Sequence, residues 1–594
     1  MRNKISVLLV ILLTSLSARA VEINYAVSFP QPQTHYADVV MQMNGCAADF
    51  LDVKMPVWIP GSYMIREFPR FVDVFEAYDK NGKVLSAEKV DKNTWRIQSS
   101  GVSSIKVHYQ VYAFELSVRT SFVDEEHAFL NGSSIFMFVE DYLNNPVTVT
   151  ISPAPSWKVI SVALERVSEN NPWKLKAPNY DELVDAPFEI GNHLVFTFTA
   201  AGVPHEVAMF GEGNFDVDRL KKDMSRIVDE CTKVFGSHPG KRYVFFIHNL
   251  INGGGGLEHK NSTSIQVNKW GYSNSSSYIG FLSLVAHEYF HLWNVKRLRP
   301  VPLGPFNYSE ENYTNLLWLA EGFTAYYDDM IVYRCGFMDE AEYLRTIAGS
   351  MSYCNNQMGA AFQSLSESSM DAWIKYYRSY ENSSNASVSY YTKGSVVGAL
   401  LDMEIINATN GNKSLDDFMK EMYHEFYVKN EKAFTQEDVM KMVEKISGKN
   451  MDSFFKDAVN STLPLPMEKV VAELGLSLDD LNKKSTTTFS GINASATNGK
   501  LMVTSIVRNS PAWTSGINVN DELIAMDQYR FGDDLSKLIS MKAPGDKVTF
   551  LVNRSGYIKS IALTLANTPY VKYSLNKSSA VSEQKSRNYK KWLD

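Results

Sequence analysis

Apolar and polar positions alternate over short stretches in the first third of the chain, recur at helical spacing through the middle, and alternate again toward the carboxyl end. From Val21 to about Phe210, stretches such as Ser104-Ile105-Lys106-Val107-His108-Tyr109 and Val147-Thr148-Val149-Thr150-Ile151 carry a period of two and are punctuated by Gly, Pro and Asn, as strands with one buried face do. They predict an antiparallel β domain over residues 21–212. The period changes at Asp216-Val217-Asp218-Arg219-Leu220, which opens a helix expected to reach about Phe235, and Arg242–Ile247 then reads as a buried strand. Helical periodicity dominates from Ser275 to about Val459, with Ser309, Ser414 and Thr435 as candidate N-caps ahead of acidic residues. A second domain is therefore expected over residues 213–465. The run Leu463-Pro464-Leu465-Pro466 interrupts the helical pattern as a linker, and short strands return over residues 466–570. Residues 571–594 are polar and rich in Ser and Lys, and are expected to be loosely ordered. The fold class expected is multidomain α+β.

The first twenty residues do not belong to this scheme. Arg2 and Lys4 precede an apolar run from Ile5 to about Leu13, and Ser17-Ala18-Arg19-Ala20 offers small residues for cleavage, so residues 1–20 read as a secretory signal peptide and the chain as secreted or periplasmic. The alternative, a membrane anchor, is disfavoured because the apolar run is shorter than the ~20 residues a bilayer requires. The first cysteine is Cys46, so no acceptor for lipid attachment lies near the cut. No later stretch is long and apolar enough to suggest an integral membrane segment after cleavage.

Composition narrows the classes further. The chain has 594 residues, 45% hydrophobic and 21% charged, which is globular stock and excludes a collagen, a coiled coil or a low-complexity tail. The formal net charge is −7, and loss of Arg2, Lys4 and Arg19 makes it −10. Basic residues are scattered, so no nucleic-acid partner is expected. Cys46, Cys231, Cys335 and Cys354 lack any C-x-x-C spacing, which leaves a thiolate metal site or a dithiol redox role without support. Cys335 and Cys354 are near enough in sequence for a bridge, and spacing alone leaves bridged and free forms open.

One segment carries chemistry. Val285-Ala286-His287-Glu288-Tyr289-Phe290-His291-Leu292-Trp293 places H-E-x-x-H inside an apolar helix, so His287 and His291 lie one turn apart on one face and can grip one metal ion. Glu288, angled toward the open side, can take a proton from the attacking water. A zinc with three protein ligands needs one more donor, and Glu321 in Trp318-Leu319-Ala320-Glu321-Gly322 is the natural one. A carboxylate in an otherwise apolar helix costs several kcal/mol unless it is paired or metal-bound. One Zn2+ per chain is expected, held by His287, His291 and Glu321.

These motifs, with the continuation Trp293-Asn294-Val295-Lys296-Arg297, resemble the zinc aminopeptidases of the gluzincin group, and within it the glycyl aminopeptidase family. Pro56-Val57-Trp58-Ile59-Pro60-Gly61-Ser62-Tyr63 is similar to a signature of that family's N-terminal domain, so the resemblance covers nearly the whole mature chain. It implies an N-terminal β domain, a thermolysin-like catalytic domain with a helical lobe, and hydrolysis of the N-terminal peptide bond of peptides that begin with a small residue such as Gly or Ala. Gly253-Gly254-Gly255-Gly256-Leu257-Glu258-His259 occupies the place of the Gly-rich edge strand whose glutamate binds the free amino terminus. The resemblance assigns that role to Glu258, with Gly255 and Gly256 at the strand edge and His259 near the first-residue pocket. Glycines allow a substrate backbone to approach, and a carboxylate pairs with an ammonium. Tyr391-Thr392-Lys393-Gly394 resembles the segment whose tyrosine donates to the developing oxyanion, which points to Tyr391, with Tyr390 as its neighbour to be distinguished. In some gluzincins an aspartate four residues after the ligand glutamate braces a ligand histidine. Here that position is Ala325, which leaves Thr324 or Asp328 as candidates.

The stretch Ser510-Pro511-Ala512-Trp513-Thr514-Ser515-Gly516 through Asp527 resembles a bacterial-type PDZ domain, which binds an extended chain end by strand addition. Glu473-Leu474-Gly475-Leu476 is similar to the carboxylate loop of such domains, and Leu535, Leu538 and Ile539 are expected along the groove. Peptide substrates and a C-terminal peptide ligand are thus the partners expected. A rival reading is an extracytoplasmic peptide-binding or chaperone-like protein that uses this groove. Another keeps the zinc and hydrolyses a different electrophile.

Overall fold

The computed structural model describes residues 21–532 and 534–594; the expected signal peptide lies outside them. The N-terminal unit is built on an eight-stranded sheet, with a four-stranded and a three-stranded sheet beside it. Strand Tyr36–Asn44 turns Ala37, Val39, Met41 and Met43 inward, and strand Ser104–Tyr112 does the same with Ile105, Val107, Tyr109 and Val111. This period-two pattern is what pins their register, since a slip of one residue would expose every apolar side chain. The sheet is antiparallel except where Glu22–Ser28 pairs in parallel with Val147–Ser152.

Strands Leu194–Ala200 and Val203–Phe210 alternate like their predecessors, yet they pair onward into the five-stranded sheet of the catalytic unit. The boundary expected at 212 therefore falls before Leu194, because periodicity reports a strand but not its neighbour. The three central strands, Val203–Phe210, Tyr243–Leu250 and Ser262–Asn268, run parallel. The second of them is apolar on both faces, as a covered parallel strand must be. The crossover helix Val217–Phe235 starts where the Asp216 side chain accepts from the Arg219 N–H and stops at Gly236, which has φ of 89°. Strand Gly256–Glu258 closes the sheet as an antiparallel edge beside Ser262–Asn268.

Helix Ser275–Phe290 packs against this sheet and against helix Gly322–Arg334 of the helical lobe. Ser414 and Thr435 cap their helices in capping boxes with Asp417 and Asp438. Ser309 does not cap one. Its N–H donates to the Asn307 side chain within a turn, and the next helix begins only at Leu317. All four cysteines are buried and free, and burial pushes the Cys335 and Cys354 thiols up to about 12.

The PDZ sheet, from Ile492–Thr497 at one edge to Tyr557–Thr564, encloses its own core around Val503, Phe550 and Val552. It docks on the helical lobe through Asn385, which donates to Ile506 O at 2.7 Å and accepts from the Arg508 N–H at 2.8 Å. Two expectations about this region are corrected. Glu473–Leu476 is not a carboxylate loop: Leu474 and Leu476 sit in the catalytic core, and Gly475 O accepts from the Ser578 N–H. The segment leading into the edge strand is Phe489-Ser490-Gly491, and Leu535 and Ile539 are core residues of the domain while Leu538 is half-buried. Nor is the tail loose. Tyr573–Lys577 pairs with Leu476–Asp480, and helix Glu583–Leu593 buries Tyr589 and Trp592 against the catalytic unit. Trp592 is fully buried, and its Nε1 donates to Tyr326 Oη at 3.1 Å. A few apolar residues at helical spacing outweigh the polar composition of this segment. No helix among the described residues is long and apolar enough to cross a membrane.

Candidate active site

His287 and His291 project from the last turn of helix Ser275–Phe290. Glu321 stands at the junction of two helical segments, Leu317–Ala320 and Gly322–Arg334. That junction lies against helix Tyr390–Ala408 because two glycines meet. A Cβ on Gly322 would stand 2.5 Å from the Gly394 Cα, and one on Gly394 would stand 2.6 Å from Trp318 O. The glycines in the two motifs thus set the close approach that brings Glu321 and Tyr391 to one site. Asn294 ties the histidine motif to the glutamate motif, its amide donating to Leu319 O, Ala320 O and Thr324 Oγ1, each at 3.1 Å.

His287 Nε2, His291 Nε2 and a Glu321 oxygen converge. The two nitrogens are 3.2 Å apart, and Glu321 Oε2 lies 3.2 Å from His291 and 3.6 Å from His287. Donors about 2.0–2.1 Å from a tetrahedral zinc stand about 3.3 Å from one another, so this set fits the ion. Proton inventory favours the same reading. His287 Nδ1 faces Asp328 Oδ2 at 2.9 Å and His291 Nδ1 faces Asn294 O at 2.8 Å. With both Nδ1 atoms donating, both Nε2 lone pairs point at each other and at a carboxylate, an arrangement that calls for a cation. Burial would raise the Glu321 carboxyl, but His291 and His287 beside it hold it below the ordinary range. The bracing aspartate is therefore Asp328. Thr324 Oγ1 donates to Ala320 O instead.

Glu288 is buried, and burial lifts its carboxyl above the ordinary range. A Cβ on Gly256 would come within 2.1 Å of Glu288 Oε1, so only glycine lets the edge strand pass over this carboxylate. Gly255 takes φ of 99° just before it. Glu258, at the far end of the same strand, is 4% exposed, and its Oε1 has no hydrogen-bond partner; Glu288 Oε2 also lacks one. An unpaired buried carboxylate oxygen costs about 1–3 kcal/mol or more, so two such atoms, one near each end of this short strand, mark places for positively charged or donating groups. Gly61 of the N-terminal unit presses on Glu258, where a Cβ would meet Oε1 at 2.6 Å. The loop that carries it is locked in by Val57 N–H donating to Tyr308 O and Trp58 Nε1 to Asn307 O.

Tyr391 lines a cleft of about 540 Å³ together with His287, Glu288, Gly256, Asp328, Tyr377 and Arg119. Its ring stacks at 6.2 Å from His287, whereas Tyr390 is fully buried and lies outside the cleft lining. His259 is fully buried, with Nδ1 3.1 Å from Asp185 Oδ1, and is likewise outside that lining. Lys296 donates to the same Asp185 oxygen at 2.8 Å. Asp185, Tyr377 and Arg119 are site neighbours that the sequence motifs did not single out, and Lys296 lies within the Trp293–Arg297 continuation, where the sequence assigned it no role. Asp185 and Arg119 come from the N-terminal unit, and no local pattern announces them.

Fold and site together define a zinc-dependent aminopeptidase with an edge strand running to a buried glutamate. The Peptidase M61 N-terminal domain matches residues 24–192, the M61 glycyl aminopeptidase domain residues 280–397, and a PDZ domain residues 473–565. A crystal structure of an aminopeptidase N family protein from Idiomarina loihiensis is 29% identical over 96% of this chain and 100% of that one, with a TM-score of 0.89. An M1 zinc metallopeptidase from Deinococcus radiodurans is 12% identical over 76% of this chain and 96% of that one, with a TM-score of 0.48. Native yeast LTA4 hydrolase is 12% identical over 77% of this chain and 71% of that one, with a TM-score of 0.46. No curated protein sequence matches the chain.

Proposed function

We propose that this protein is a secreted aminopeptidase that removes small first residues, Gly or Ala, from peptides, with one zinc per chain held by His287, His291 and Glu321. The observation that carries the reading is the unpartnered carboxylate oxygen of Glu258, two residues along an open strand edge from the glycine that covers Glu288. Two residues of strand span about 7 Å, room for one substrate residue between an anchored ammonium and the reacting carbonyl. Glu258 pairs with that ammonium, while the substrate backbone extends along Gly255 and Gly256. Bound zinc supplies Lewis acidity, polarising the carbonyl and making water easier to deprotonate. Glu288 accepts the proton of the attacking water and passes it to the leaving amine. Tyr391 donates a hydrogen bond to the oxygen on which charge develops.

The preference for a small first residue is supported by the space around Glu258. Gly61 presses on its carboxylate, and Tyr63, Trp373 and Trp58 pack edge to face in the adjoining core, with ring centroids 5.2–5.8 Å apart. Secretion is supported by the signal-like residues 1–20. The PDZ domain, with edge strand Ile492–Thr497, would take a peptide C-terminus by strand addition. The test of the enzymatic reading is hydrolysis of glycyl and alanyl reporter amides by purified protein, with and without chelator, beside Glu288→Gln. Chelator-sensitive turnover that Glu288→Gln abolishes is expected. A wild type inactive on every unblocked amide refutes it and returns weight to a peptide-binding role.

A further inference from the structure

Arg119 stands in the cleft without an ion-pair partner among the described residues. It comes from the loop that follows strand Ser104–Tyr112 in the N-terminal unit and lines the cleft with Gly280, Leu284, Glu288 and Tyr377. Its Nε is buried and unpartnered, and among the described residues its guanidinium forms no hydrogen bond or ion pair. Arg66 lies close by, half-buried, with Nη2 donating to Ser62 Oγ at 2.6 Å and its own Nε unpartnered. Burial and the charge of Arg119 push Arg66 down to about 10, against weaker pulls from Tyr377 and exposed Glu115. Two guanidiniums that repel each other in a part-buried wall, neither paired with an acid among the described residues, are costly unless an anion is brought to them.

The edge strand gives this positive wall a direction. Glu258 marks the amino end of a substrate, and a chain laid antiparallel along the strand passes Gly256 and continues toward Gly254 and Gly253. Those glycines adjoin Gly280 and Leu284, and Gly280 and Leu284 share the cleft with Arg119. Arg119 therefore faces the portion of the substrate that leaves after cleavage. A guanidinium with free N–H groups matches a carboxylate in shape and charge.

Resting on the aminopeptidase reading, we propose that Arg119, with Arg66 behind it, forms a carboxylate subsite on the leaving side of the scissile bond, and that the enzyme selects short or acidic peptides through it. The carboxylate is either the free chain end of a short peptide or the side chain of an Asp or Glu after the first residue. The probes are Gly-Ala against Gly-Ala amide for the first source, and Gly-Asp amide against Gly-Asn amide for the second. Dissociation constants for the zinc-loaded full chain carrying Glu288→Gln are measured by calorimetry, and turnover of the same peptides is followed with wild type.

A charge-assisted contact predicts about 10- to 100-fold tighter binding of the carboxylate partner in at least one pair, carried in KM rather than kcat. Raising ionic strength narrows that ratio. Adding Arg119→Met takes the ratio close to one, and Arg119→Lys keeps part of it. Preference within the first pair assigns the chain end, and preference within the second assigns the side chain. Equal binding in both pairs, or a ratio that survives Arg119→Met, overturns the subsite while turnover of neutral glycyl amides leaves the aminopeptidase standing. A wild type that hydrolyses no unblocked substrate removes both.

Discussion

Removing the Asp328 carboxylate isolates the support of a zinc ligand from the ligand itself. Asp328 Oδ2 accepts from His287 Nδ1 at 2.9 Å, and this bond both orients the ring and fixes the tautomer that leaves Nε2 free. His291 gets the same service from the Asn294 carbonyl, which no side-chain change removes, so the loss in Asp328→Ala falls on one ligand of three. Such a partner is typically worth about 10- to 100-fold in metal affinity, or roughly 1.4–2.8 kcal/mol. Titration of the apoprotein with zinc against a chromophoric chelator measures it directly. Thr324→Ala is the internal control, because Thr324 Oγ1 reaches Ala320 O and the Asn294 amide but neither histidine. Asp328→Ala is expected to weaken zinc by at least tenfold and Thr324→Ala by less than threefold. Equal affinities for wild type and Asp328→Ala, or the larger loss in Thr324→Ala, would refute the bracing assignment.

Other changes test other joints of the account. Gly256→Ala places a Cβ 2.1 Å from where Glu288 Oε1 now lies; turnover should fall at least 100-fold with zinc content unchanged, and ordinary turnover would show that the carboxylate has room to move. Trp592→Ala empties a fully buried site and removes the donor to Tyr326, so denaturant unfolding of the catalytic unit should lose about 3–5 kcal/mol; a loss below about 1 kcal/mol would mean that the tail only rests on the surface. Glu189 is fully buried between His127 at 2.6 Å and His248 at 2.8 Å. Burial would raise its carboxyl, but the two histidines hold it at about 2 against an ordinary 4.5. A depressed carboxylate contributes stability that is present above the unfolded value and is lost as pH falls through the folded one, here between about pH 4.5 and 2, worth roughly 3 kcal/mol in all. The stability gap between wild type and Glu189→Gln should narrow over that window, and a constant gap would contradict it.

The zinc donors were legible because each obeys a local rule. Histidines four apart share a helix face, and a lone glutamate in an apolar helix demands a partner. Strands with one buried face were equally plain. What local pattern does not encode is the identity of a neighbour. Leu194–Ala200 and Val203–Phe210 read as strands, but the partner that takes the second of them into the catalytic sheet, Tyr243–Leu250, is chosen by tertiary packing. Asp328 and Thr324 are both close in sequence to Glu321, and only the crossing of the two motif helices decides which reaches His287. Arg119 and Asp185 arrive from another domain, far from the motifs in sequence. Composition misled at the tail, where Ser and Lys outnumber the buried Tyr589 and Trp592 that hold it. A short motif misled at Glu473–Leu476, where Gly475 makes a turn into the catalytic core.

The central claim is that Glu258 reads a free amino terminus one residue from the zinc site. Mass spectrometry of products from a peptide pair that differs only in N-terminal acetylation tests it most directly. Zinc-loaded wild type should release single residues from the unblocked peptide and leave the acetylated one intact, and Glu258→Gln should lose most of that discrimination. Cleavage inside the acetylated peptide at a comparable rate, or release of fragments longer than one residue from the unblocked one, would contradict it.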